Sequence, residues 1–491
     1  MIVRSEFGLE LPTKTVHERI LDKCLEWPEK TALVAAEDAN DSITFKQLHD
    51  YSLGVSAWLQ DHGYIKGDIA LICTYNDWRY FPFILGCWNA GLIVSCASPQ
   101  FTKYELSGQL EDATAKLVVG LRTLRKFVPP KFDLKIDLLL LPYSSGTTGK
   151  PKGVMITHMN YSSMLTSFVL KTGKDMVKRG LPEDFALPMA LQFLPIYHAM
   201  GLFRSFVSIY QGTTQIIMAK VDLKRVLELV QEHALMQLSL VPAVLLRLCD
   251  SPLMSKFDLS SVLSISSGSA PLPQSAVRKI QKILPNVRIG EGYGMTELTC
   301  ASHFMSPESP PGSIGRLVPG TEMKVISENG NECGVGQIGE CWIRGPQVMK
   351  GYWRQPEKTA EVLNDDGFLR TGDIVWFDER GDTFICDRAK ELIKVNGKQV
   401  APAELESVLL EHEAVRDACV FGVVDERRGE APVATVVVSS DVDVRQLEDF
   451  VGKKLAPYKR LKAIEFVKEI ARTSTGKNAT TRDATAIYKR Y

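Results

Sequence analysis

The sequence lacks the patterns that mark zinc-binding, disulfide-bonded or nucleic-acid-binding proteins. Its ten cysteines form no CxxC pair and no cluster with histidine, so neither a structural zinc site nor a disulfide framework is indicated. The 58 Lys and Arg residues balance 58 Asp and Glu residues, which leaves no excess positive charge for nucleic acid or an anionic membrane. We therefore expect reduced thiols, a small-molecule substrate and no nucleic-acid partner.

Long apolar segments that would target or anchor a protein are also scarce. Residues 1–15 contain no apolar core, so we expect no secretion signal. Residues 80–99 carry no charge, but Pro82, Asn89 and Gly91 interrupt them. We expect a buried helix that runs into a buried strand there, not a transmembrane segment. The final Lys-Arg-Tyr is not an SKL-type peroxisomal signal. A cytoplasmic location is the expectation, and peroxisomal import by another route stays open.

What the sequence does contain is an alternation of short apolar runs with amphipathic segments. IALIC (69–73) and TQIIM (214–218) are typical of buried strands, and residues 223–235 have the spacing of a helix. Strands and turns dominate from about residue 310. We predict an α/β fold, with a large N-terminal domain of α/β subdomains plus a β-rich subdomain, followed by a small α+β C-terminal domain.

One glycine pattern has the spacing of a dinucleotide-binding site but not its surroundings. CGVGQIGE contains Gly334, Gly336 and Gly339 at the GxGxxG spacing of a dinucleotide-binding site. That site needs a strand before the glycines and a helix after them, whereas a polar turn precedes these and a strand-like segment follows. We predict a turn between strands.

A second glycine-rich stretch, LPYSSGTTGKPKGVM (141–155), has the composition of a phosphate-binding loop. Its glycines allow close approach of an anion, and its hydroxyl groups and two lysines supply donors and charge. A solvated linker has a similar composition, but here the flanks are apolar runs typical of core strands. Lys150 is followed by Pro151, which disfavours the nucleotide-binding P-loop that opens directly into a helix.

Seven further motifs follow this stretch. They are LPIYHAMGL (194–202), SSGSAPL (266–272), GYGMTE (292–297), IGECWIRGPQVMKGYW (338–353), FLRTGDIVWFDERG (368–381), DRAKELIKVNGKQVAPAELE (387–406) and RTSTGK (472–477). Together with the glycine-rich stretch, they resemble in kind and order the signature of the adenylate-forming superfamily. This superfamily includes acyl-CoA synthetases, 4-coumarate:CoA ligases, beetle luciferases and peptide-synthetase adenylation domains.

The resemblance implies an ATP-dependent carboxylic acid:CoA ligase that acts on a fatty or aromatic acid, with Mg²⁺. A carboxylate attacks the α-phosphate of ATP to give an acyl-adenylate and pyrophosphate, and the thiol of CoA then displaces AMP. A carboxylic acid is already ionised at neutral pH, so the first step needs no general base. It needs cations and oriented donors where two anions meet.

The resemblance also assigns residues to ATP. The residues implied for the β- and γ-phosphates are Ser144, Ser145, Gly146, Thr147, Thr148, Gly149 and Lys152. Those implied for the nucleoside and the α-phosphate are Gly268, Ser269, Ala270, Tyr293, Gly294, Thr296, Asp373 and Arg388. In this assignment Tyr293 stacks on adenine, Asp373 and Arg388 bind the ribose, Thr296 contacts the α-phosphate, and Glu297 binds Mg²⁺.

The C-terminal motifs imply a moving domain. The division expected is 1–387 for the AMP-binding domain and 388–491 for the C-terminal domain, with a hinge near Lys390. Lys477 resembles the lysine that bridges the substrate carboxylate and the α-phosphate. The residues implied for the second step are Gly397 and Lys398, which would bind CoA, and Lys394 and Gln399, which would face the active site.

The substrate pocket is implied near residue 198. His198 resembles the histidine at the mouth of the acyl pocket. Amino-acid-activating relatives place an aspartate just after it for the ammonium group, and here that residue is Ala199. A buried ammonium group without a counter-charge is costly, which disfavours amino acids. The neighbours Met200, Leu202 and Phe203 favour an apolar acyl or aryl group.

Two segments depart from the resemblance. Residues 120–136 are fewer than the pattern leads us to expect, and residues 478–491 lack its usual apolar and arginine residues. Two alternatives stay open on the sequence: a luciferase-like or other adenylate-forming enzyme with a different second step, and a catalytically inactive binding protein. Oligomeric state and acid chain length are not indicated.

Overall fold

Five β-sheets with flanking helices make up the described part of the chain. The computed structural model describes residues 1–119, 130–144, 151–249, 251–268, 272, 274–388, 392–395, 398–425 and 428–470. Within these ranges, no helix is long and apolar enough to cross a membrane. All ten cysteines lie within them, and none is in a disulfide.

Five of the helices begin at a residue whose side chain forms a capping box. Thr15, Thr44, Thr102, Thr157 and Asp443 each accept a hydrogen bond from the main chain of the first turn, in a reciprocal capping box. The twelve α-helices of the described residues are α1 (Val16–Cys24), α2 (Phe45–Asp61), α3 (Tyr80–Asn89), α4 (Lys103–Ala113), α5 (His158–Lys178), α6 (Ala199–Tyr210), α7 (Leu223–His233), α8 (Pro242–Cys249), α9 (Gln274–Ile283), α10 (Pro356–Ala360), α11 (Pro402–Leu409) and α12 (Val444–Lys454).

The strands coincide with the short apolar runs of the sequence. In chain order, the strands of the described residues are β1 (Ile2–Arg4), β2 (Thr31–Ala35), β3 (Ser42–Thr44), β4 (Ile69–Cys73), β5 (Ile93–Ala97), β6 (Leu117–Val119), β7 (Leu138–Leu140), β8 (Tyr143–Ser144), β9 (Lys152–Thr157), β10 (Met189–Gln192), β11 (Thr214–Ile217), β12 (Gln237–Leu240), β13 (Ser264–Ser267), β14 (Arg288–Tyr293), β15 (His303–Phe304), β16 (Arg316–Leu317), β17 (Glu322–Ile326), β18 (Gly339–Arg344), β19 (Gly351–Tyr352), β20 (Leu369–Phe377), β21 (Thr383–Arg388), β22 (Ile393–Val395), β23 (Lys398–Val400), β24 (Val415–Asp425), β25 (Gly429–Val438) and β26 (Ala463–Phe466).

The first sheet has seven strands in the order β19-β9-β7-β5-β4-β6, with β8 paired to β9. The uncharged segment 80–99 supplies its covering helix and a central strand, because α3 and β5 are both wholly buried. This confirms the predicted helix and strand. β6 pairs with β4, and β7 pairs with β5. The strands before and after residues 120–129 therefore both belong to this sheet.

Two further sheets complete the α/β part. One has the order β10-β11-β2-β3, and the other has the order β12-β13-β14-β15-β16. In the second, β12, β13 and β14 are parallel, so their carboxyl ends meet at one edge. The motifs SSGSAPL and GYGMTE follow β13 and β14 at that edge, which is where parallel sheets usually bind ligands.

The β-rich part is an antiparallel sheet in the order β1-β17-β18-β20-β21. The GxGxxG pattern lies between β17 and β18, where the chain turns and β18 begins at Gly339. The predicted turn between strands is therefore confirmed. A last sheet, in the order β23-β22-β25-β24 with β26 on β25, packs against α11 and α12. The α/β architecture that the alternation predicts is confirmed.

The side chain of Asn76 holds the motif LPIYHAMGL against the first sheet. It lies shortly after β4 and is buried. Its Nδ2 donates to the carbonyl oxygens of Leu194 and Met218 at 3.0 and 3.2 Å, and its Oδ1 accepts from the main-chain N–H of Ile196 at 2.9 Å. One amide therefore satisfies three main-chain groups on the approach to α6.

Replacing Asn76 by leucine should leave the main-chain N–H of Ile196 and the carbonyl oxygen of Met218 without partners, whereas the carbonyl oxygen of Leu194 keeps the Nε2 donor of Gln192 at 2.7 Å. Each unsatisfied buried group costs about 1–3 kcal/mol, so we expect Asn76→Leu to lower the free energy of unfolding by about 2–4 kcal/mol overall. Urea unfolding followed by fluorescence measures this. Asn331→Leu, on an exposed turn, is the control and should change it by less than about 0.5 kcal/mol. Equal effects in the two variants would contradict the role of Asn76.

Candidate active site

One cavity brings together residues that are far apart in the sequence. Its volume is about 1110 Å³, and its walls include residues of α5, α6, β13 and β14. Several residues expected to contact substrate, nucleotide or metal line it: Ser144, Lys152, His198, Tyr293, Gly294, Thr296 and Glu297. The cavity therefore connects the glycine-rich stretch with the implied acyl pocket.

The two ends of the glycine-rich stretch lie side by side. Ser144 on β8 pairs in register with Lys152 on β9, and the two strands are antiparallel. A strand follows Pro151, where a nucleotide-binding P-loop would begin a helix. The flanking strands are thus as predicted. The remaining phosphate contacts expected lie outside the described residues: Ser145, Gly146, Thr147, Thr148 and Gly149.

Glu297 is a buried carboxylate with a defined partner. It is 6% exposed, and its Oε1 accepts a hydrogen bond of 3.0 Å from the hydroxyl of Tyr352. The ammonium group of Lys152 lies 4.7 Å from the centroid of the Tyr352 ring. Burial, and then the charge of Glu297, raise the pKa of Tyr352, so its hydroxyl remains a donor. We call Glu297, Tyr352 and Lys152 the carboxylate unit.

The main chain around Glu297 is tied to the segment that carries Tyr352. The N–H of Met349 donates to the carbonyl oxygen of Glu297 at 2.9 Å. Oγ1 of Thr299 donates to the carbonyl oxygen of Gln347 at 2.6 Å. Because Glu297 lies in the short 3-10 helix Thr296–Leu298, these bonds hold that turn against the segment that leads into β19.

Two of the predicted glycines lie in close packing, and at Gly294 the backbone itself requires a glycine. A Cβ on Gly294 would lie 1.9 Å from the carbonyl oxygen of Cys300, which the backbone could not accommodate without moving. A Cβ on Gly268 would lie 2.9 Å from the terminal methyl of Met200. Glycine at these positions lets the strand ends pack closely against their neighbours. Ser269 and Ala270, expected beside adenine, lie outside the described residues.

Tyr293 and Asp373 are joined directly. The Tyr293 hydroxyl donates to Oδ2 of Asp373 at 2.5 Å, and both residues are buried. Burial, followed by the charge of Asp373, raises the pKa of Tyr293, which keeps it a donor. Asp373 on β20 also pairs in register with Arg388 on β21. The fold thus brings together three of the residues implied for the nucleoside.

His198 lies at the start of the helix that forms one cavity wall. It is the N-cap residue of α6, and its ring centroid lies 4.5 Å from that of Tyr197. The helix presents Met200, Phe203 and Arg204 to the cavity, at the spacing of one helix face. Leu202, expected beside them, is buried in the core and lines a smaller pocket together with His198 and Thr296.

The second helix of the cavity wall, α5, contributes a buried ion pair. Nζ of Lys171 lies 2.6 Å from Oδ2 of Asp175 and 2.6 Å from Oγ of Ser306. Phe168 lies one turn earlier on the same face and also lines the cavity. This wall therefore combines an aromatic ring with a lysine whose charge is neutralised within the protein.

Three of the residues expected to act in the second step lie on β22 and β23: Lys394, Lys398 and Gln399. These strands pair Lys394 with Gln399, and Val395 with Lys398. Other predicted residues lie outside the described residues: Lys390, Gly397 and Lys477.

The fold and this cavity define an enzyme of the adenylate-forming superfamily. Two protein-family models match most of the chain. The model of the AMP-binding enzyme matches residues 21–133 and 122–353, and that of the AMP-binding enzyme C-terminal domain matches residues 404–477. The chain belongs to the AMP-binding enzyme family. The first model matches in two parts that meet near residues 120–136, the segment that the sequence indicated to be short.

Individual proteins resemble the chain over nearly its whole length. It is 48% identical to acyl-CoA synthetase 7 of Caenorhabditis elegans over 515 aligned residues, covering 96% of this chain and 95% of that protein. It is 33% identical to 4-coumarate–CoA ligase 1 of Solanum tuberosum, covering 94% and 92%. The crystal structure of ATP-bound MatB from Rhodopseudomonas palustris superposes with a TM-score of 0.85 at 28% identity, covering 97% and 98%.

Sequence reasoning missed Tyr352 and Arg204. Tyr352 belongs to GYW within a recognised motif, but its contact with Glu297 spans 55 positions. Arg204 is the charged residue of an otherwise uncharged helical stretch, and no motif of the sequence marks it as a binding residue. Only its position four residues after Met200 could have placed it on the cavity face.

Removing the Tyr352 hydroxyl should weaken binding of nucleotide with its metal. Tyr352→Phe keeps the ring under Lys152 but leaves Glu297 without its donor. Because a hydrogen bond to a charged group is worth about 1.5–3 kcal/mol, we expect about tenfold weaker binding of Mg-ATP by calorimetry. Tyr104→Phe, at a tyrosine that is 81% exposed, should bind as the wild type does. Unchanged affinity in Tyr352→Phe would contradict this role.

Glu291 is a second carboxyl group on the cavity wall. Its Oε1 accepts a hydrogen bond of 3.2 Å from the main-chain N–H of Leu272. Burial raises its pKa from the ordinary value of 4.5 to about 7. In the unfolded chain this group ionises at a lower pH than in the folded protein. Its contribution to stability is therefore present below about pH 4.5 and is lost as the pH rises to about 7.

Glu291→Gln should remove this pH dependence. Glutamine can accept the same hydrogen bond without ionising, so the melting temperature of the variant relative to wild type should rise between pH 5 and pH 7 and level off above that. Thermal unfolding at pH 5, 6, 7 and 8 measures the difference. Glu10→Gln, at an exposed position, is the control. A Glu291→Gln difference that is constant with pH would refute the raised pKa.

Proposed function

We propose that the protein is an AMP-forming acid:CoA ligase that activates a fatty or aromatic carboxylic acid. The observation that carries the proposal is the single cavity in which the carboxylate unit meets the acyl wall of α6. The likeness to an acyl-CoA synthetase and to 4-coumarate–CoA ligases over the whole chain supports CoA as the acceptor. It does not favour a light-emitting second step, and the intact carboxylate unit does not favour an inactive protein.

In the first half-reaction, a carboxylate oxygen forms a bond to the α-phosphorus of ATP, and the bond to pyrophosphate breaks. The cavity reduces the repulsion between the two anions by supplying positive charge and donors. Lys152 and Ser144, with Ser145, Gly146, Thr147, Thr148 and Gly149, hold the phosphates that leave. Thr296 contacts the α-phosphate, and Lys477 bridges it to the attacking carboxylate. His198 closes the mouth of the acyl pocket.

The nucleoside is held at the edge formed by β13, β14 and β20. Gly268, Ser269, Ala270 and Gly294 leave space beside the base, and Tyr293 contacts its face. Asp373 and Arg388 bind the ribose hydroxyls. The bond between Tyr293 and Asp373 supports this assignment, because it would orient a base-contacting ring and a ribose-binding carboxylate together.

Glu297 fits a magnesium ligand. It is a buried carboxylate on the cavity wall, and Tyr352 occupies only its Oε1 in the part of the chain that the structure describes. No group of three or more His, Cys, Asp or Glu side chains suited to a metal occurs among the described residues. Mg²⁺ accepts such a site, because it takes many of its ligands from phosphate and water. When bound, it would neutralise phosphate charge.

In the second half-reaction, the sulfur of CoA bonds to the acyl carbon, the bond to the AMP oxygen breaks, and the thiol proton is lost. Gly397 and Lys398 bind CoA, and Lys394 and Gln399 face the acyl-adenylate. The proposal includes a domain division of 1–387 and 388–491 and a hinge at Lys390, so that Lys477 leaves as residues 394–399 arrive.

The proposal includes a cytoplasmic location. The thiol state of all ten cysteines supports a reducing compartment.

The hinge predicts that Lys477 serves only the first half-reaction. Lys477→Ala should lose pyrophosphate release by at least about 100-fold, while conversion of preformed acyl-adenylate and CoA to thioester should remain within a few fold of wild type. Both rates are measured across a panel of acids, with and without CoA. Lys489→Ala, in the same C-terminal stretch, is the control.

Two results would contradict the proposal. Equal loss of both half-reactions in Lys477→Ala would contradict the hinge. Failure of the wild-type protein to release pyrophosphate with any acid would contradict the ligase itself.

A further inference from the structure

Arg204 is a charged residue in the middle of the apolar helix that forms the acyl wall. It lies six residues after His198, about 9 Å along the axis of α6. The side chain is half-buried and lines the same cavity as Met200 and Phe203. The cavity around it is the space implied for the acyl group, not for the nucleotide.

Within the part of the chain that the structure describes, the charge of Arg204 has no counter-charge. Among the described residues, none forms an ion pair or a hydrogen bond with its guanidinium group. The guanidinium group contacts the ring of Phe168, whose centroid lies 5.8 Å from Cζ. A cation–π contact at that distance is weak. Lys171 on the same cavity is different, because Asp175 and Ser306 both lie 2.6 Å from its ammonium group.

Burying the guanidinium group of Arg204 without an anionic partner costs free energy, unless a bound ligand supplies the anion. Removal from water lowers the pKa of Arg204, with only the Cys300 thiol acting in the opposite direction. An arginine nevertheless stays charged at neutral pH. A guanidinium group presents a planar set of donors that matches a carboxylate, so a carboxylate in the cavity would satisfy it in two hydrogen bonds.

We propose that Arg204 determines substrate specificity by binding a second carboxylate at the far end of the acid that the enzyme activates. This inference rests on the proposed function and narrows its substrate class to acids with two carboxyl groups joined by an apolar chain or ring. The first carboxylate is adenylated near Thr296, and the apolar part lies against Met200 and Phe203. The second carboxylate pairs with Arg204.

The test compares acids that differ only at the far end. Pyrophosphate release is measured with straight-chain dicarboxylic acids of four to twelve carbons, with the monocarboxylic acids of equal length, and with benzene-based pairs with and without a second carboxylate. Because charge-assisted hydrogen bonds are strong, wild type should favour the best dicarboxylic acid over its matched monocarboxylic acid by about tenfold or more in kcat/KM. This comparison does not depend on the folding of any variant.

Two variants assign the preference to Arg204. Arg204→Met should lose the preference while keeping or gaining activity with the monocarboxylic acids, and that activity shows that the variant is folded. Arg204→Lys should keep part of the preference, because it keeps the charge. Arg380→Met, on an exposed turn away from the cavity, should behave as the wild type does.

The outcomes separate this inference from the proposed function. If wild type activates monocarboxylic acids as well as or better than dicarboxylic acids of every length, the role of Arg204 is wrong and the ligase function stands. A preference that persists in Arg204→Met, or a preference for neutral hydroxy acids, would also overturn it. If no acid of either kind releases pyrophosphate, the proposed function fails, and this inference fails with it.

Discussion

The hydrogen bond from Tyr352 to Glu297 joins two sheets, and the geometry of the cavity depends on it. Tyr352 belongs to β19 in the seven-stranded sheet, and Glu297 follows β14 in the sheet whose strand ends carry the nucleotide motifs. The bond from Met349 to the main chain of Glu297 reinforces the same junction. A carboxylate that is buried without such partners would be destabilising. Here its burial fixes the relative position of two subdomains and presents a carboxylate oxygen to the cavity.

The same junction explains why catalysis can take place between subdomains. The reaction must bring a carboxylate to a triphosphate, which is opposed by charge repulsion. Lys152 comes from one sheet and Thr296 follows a strand of the other, so the junction brings an ammonium group and a hydroxyl group to the same cavity. The acyl wall of α6 begins at His198, whose approach is held by Asn76. In the proposed mechanism the first step depends on positioning and needs no general base, because the acid is already ionised at neutral pH.

Much of the fold could be predicted from the sequence, because apolar runs and capping residues act locally. The uncharged segment 80–99 forms the predicted buried helix and strand, and the polar turn before Gly339 excludes a dinucleotide site as predicted. The resemblance also indicated Glu297 and Asp373, and the fold supplies each with a tyrosine partner. Those partners could not be predicted, since Tyr352 reaches Glu297 over 55 positions and Tyr293 reaches Asp373 over 80. Spacing within a motif carries no information on such contacts. Arg204 illustrates the same limit, because the lack of a counter-charge for it among the described residues is a property of the folded cavity.

The central claim is that a carboxylate oxygen of the substrate attacks the α-phosphorus of ATP. The most direct measurement uses an acid labelled with ¹⁸O in both carboxylate oxygens, with ATP, Mg²⁺ and CoA, followed by mass spectrometry of the products. The mechanism predicts AMP that carries one ¹⁸O atom, with none in pyrophosphate. Label in inorganic phosphate, or AMP without label while thioester forms, would contradict it.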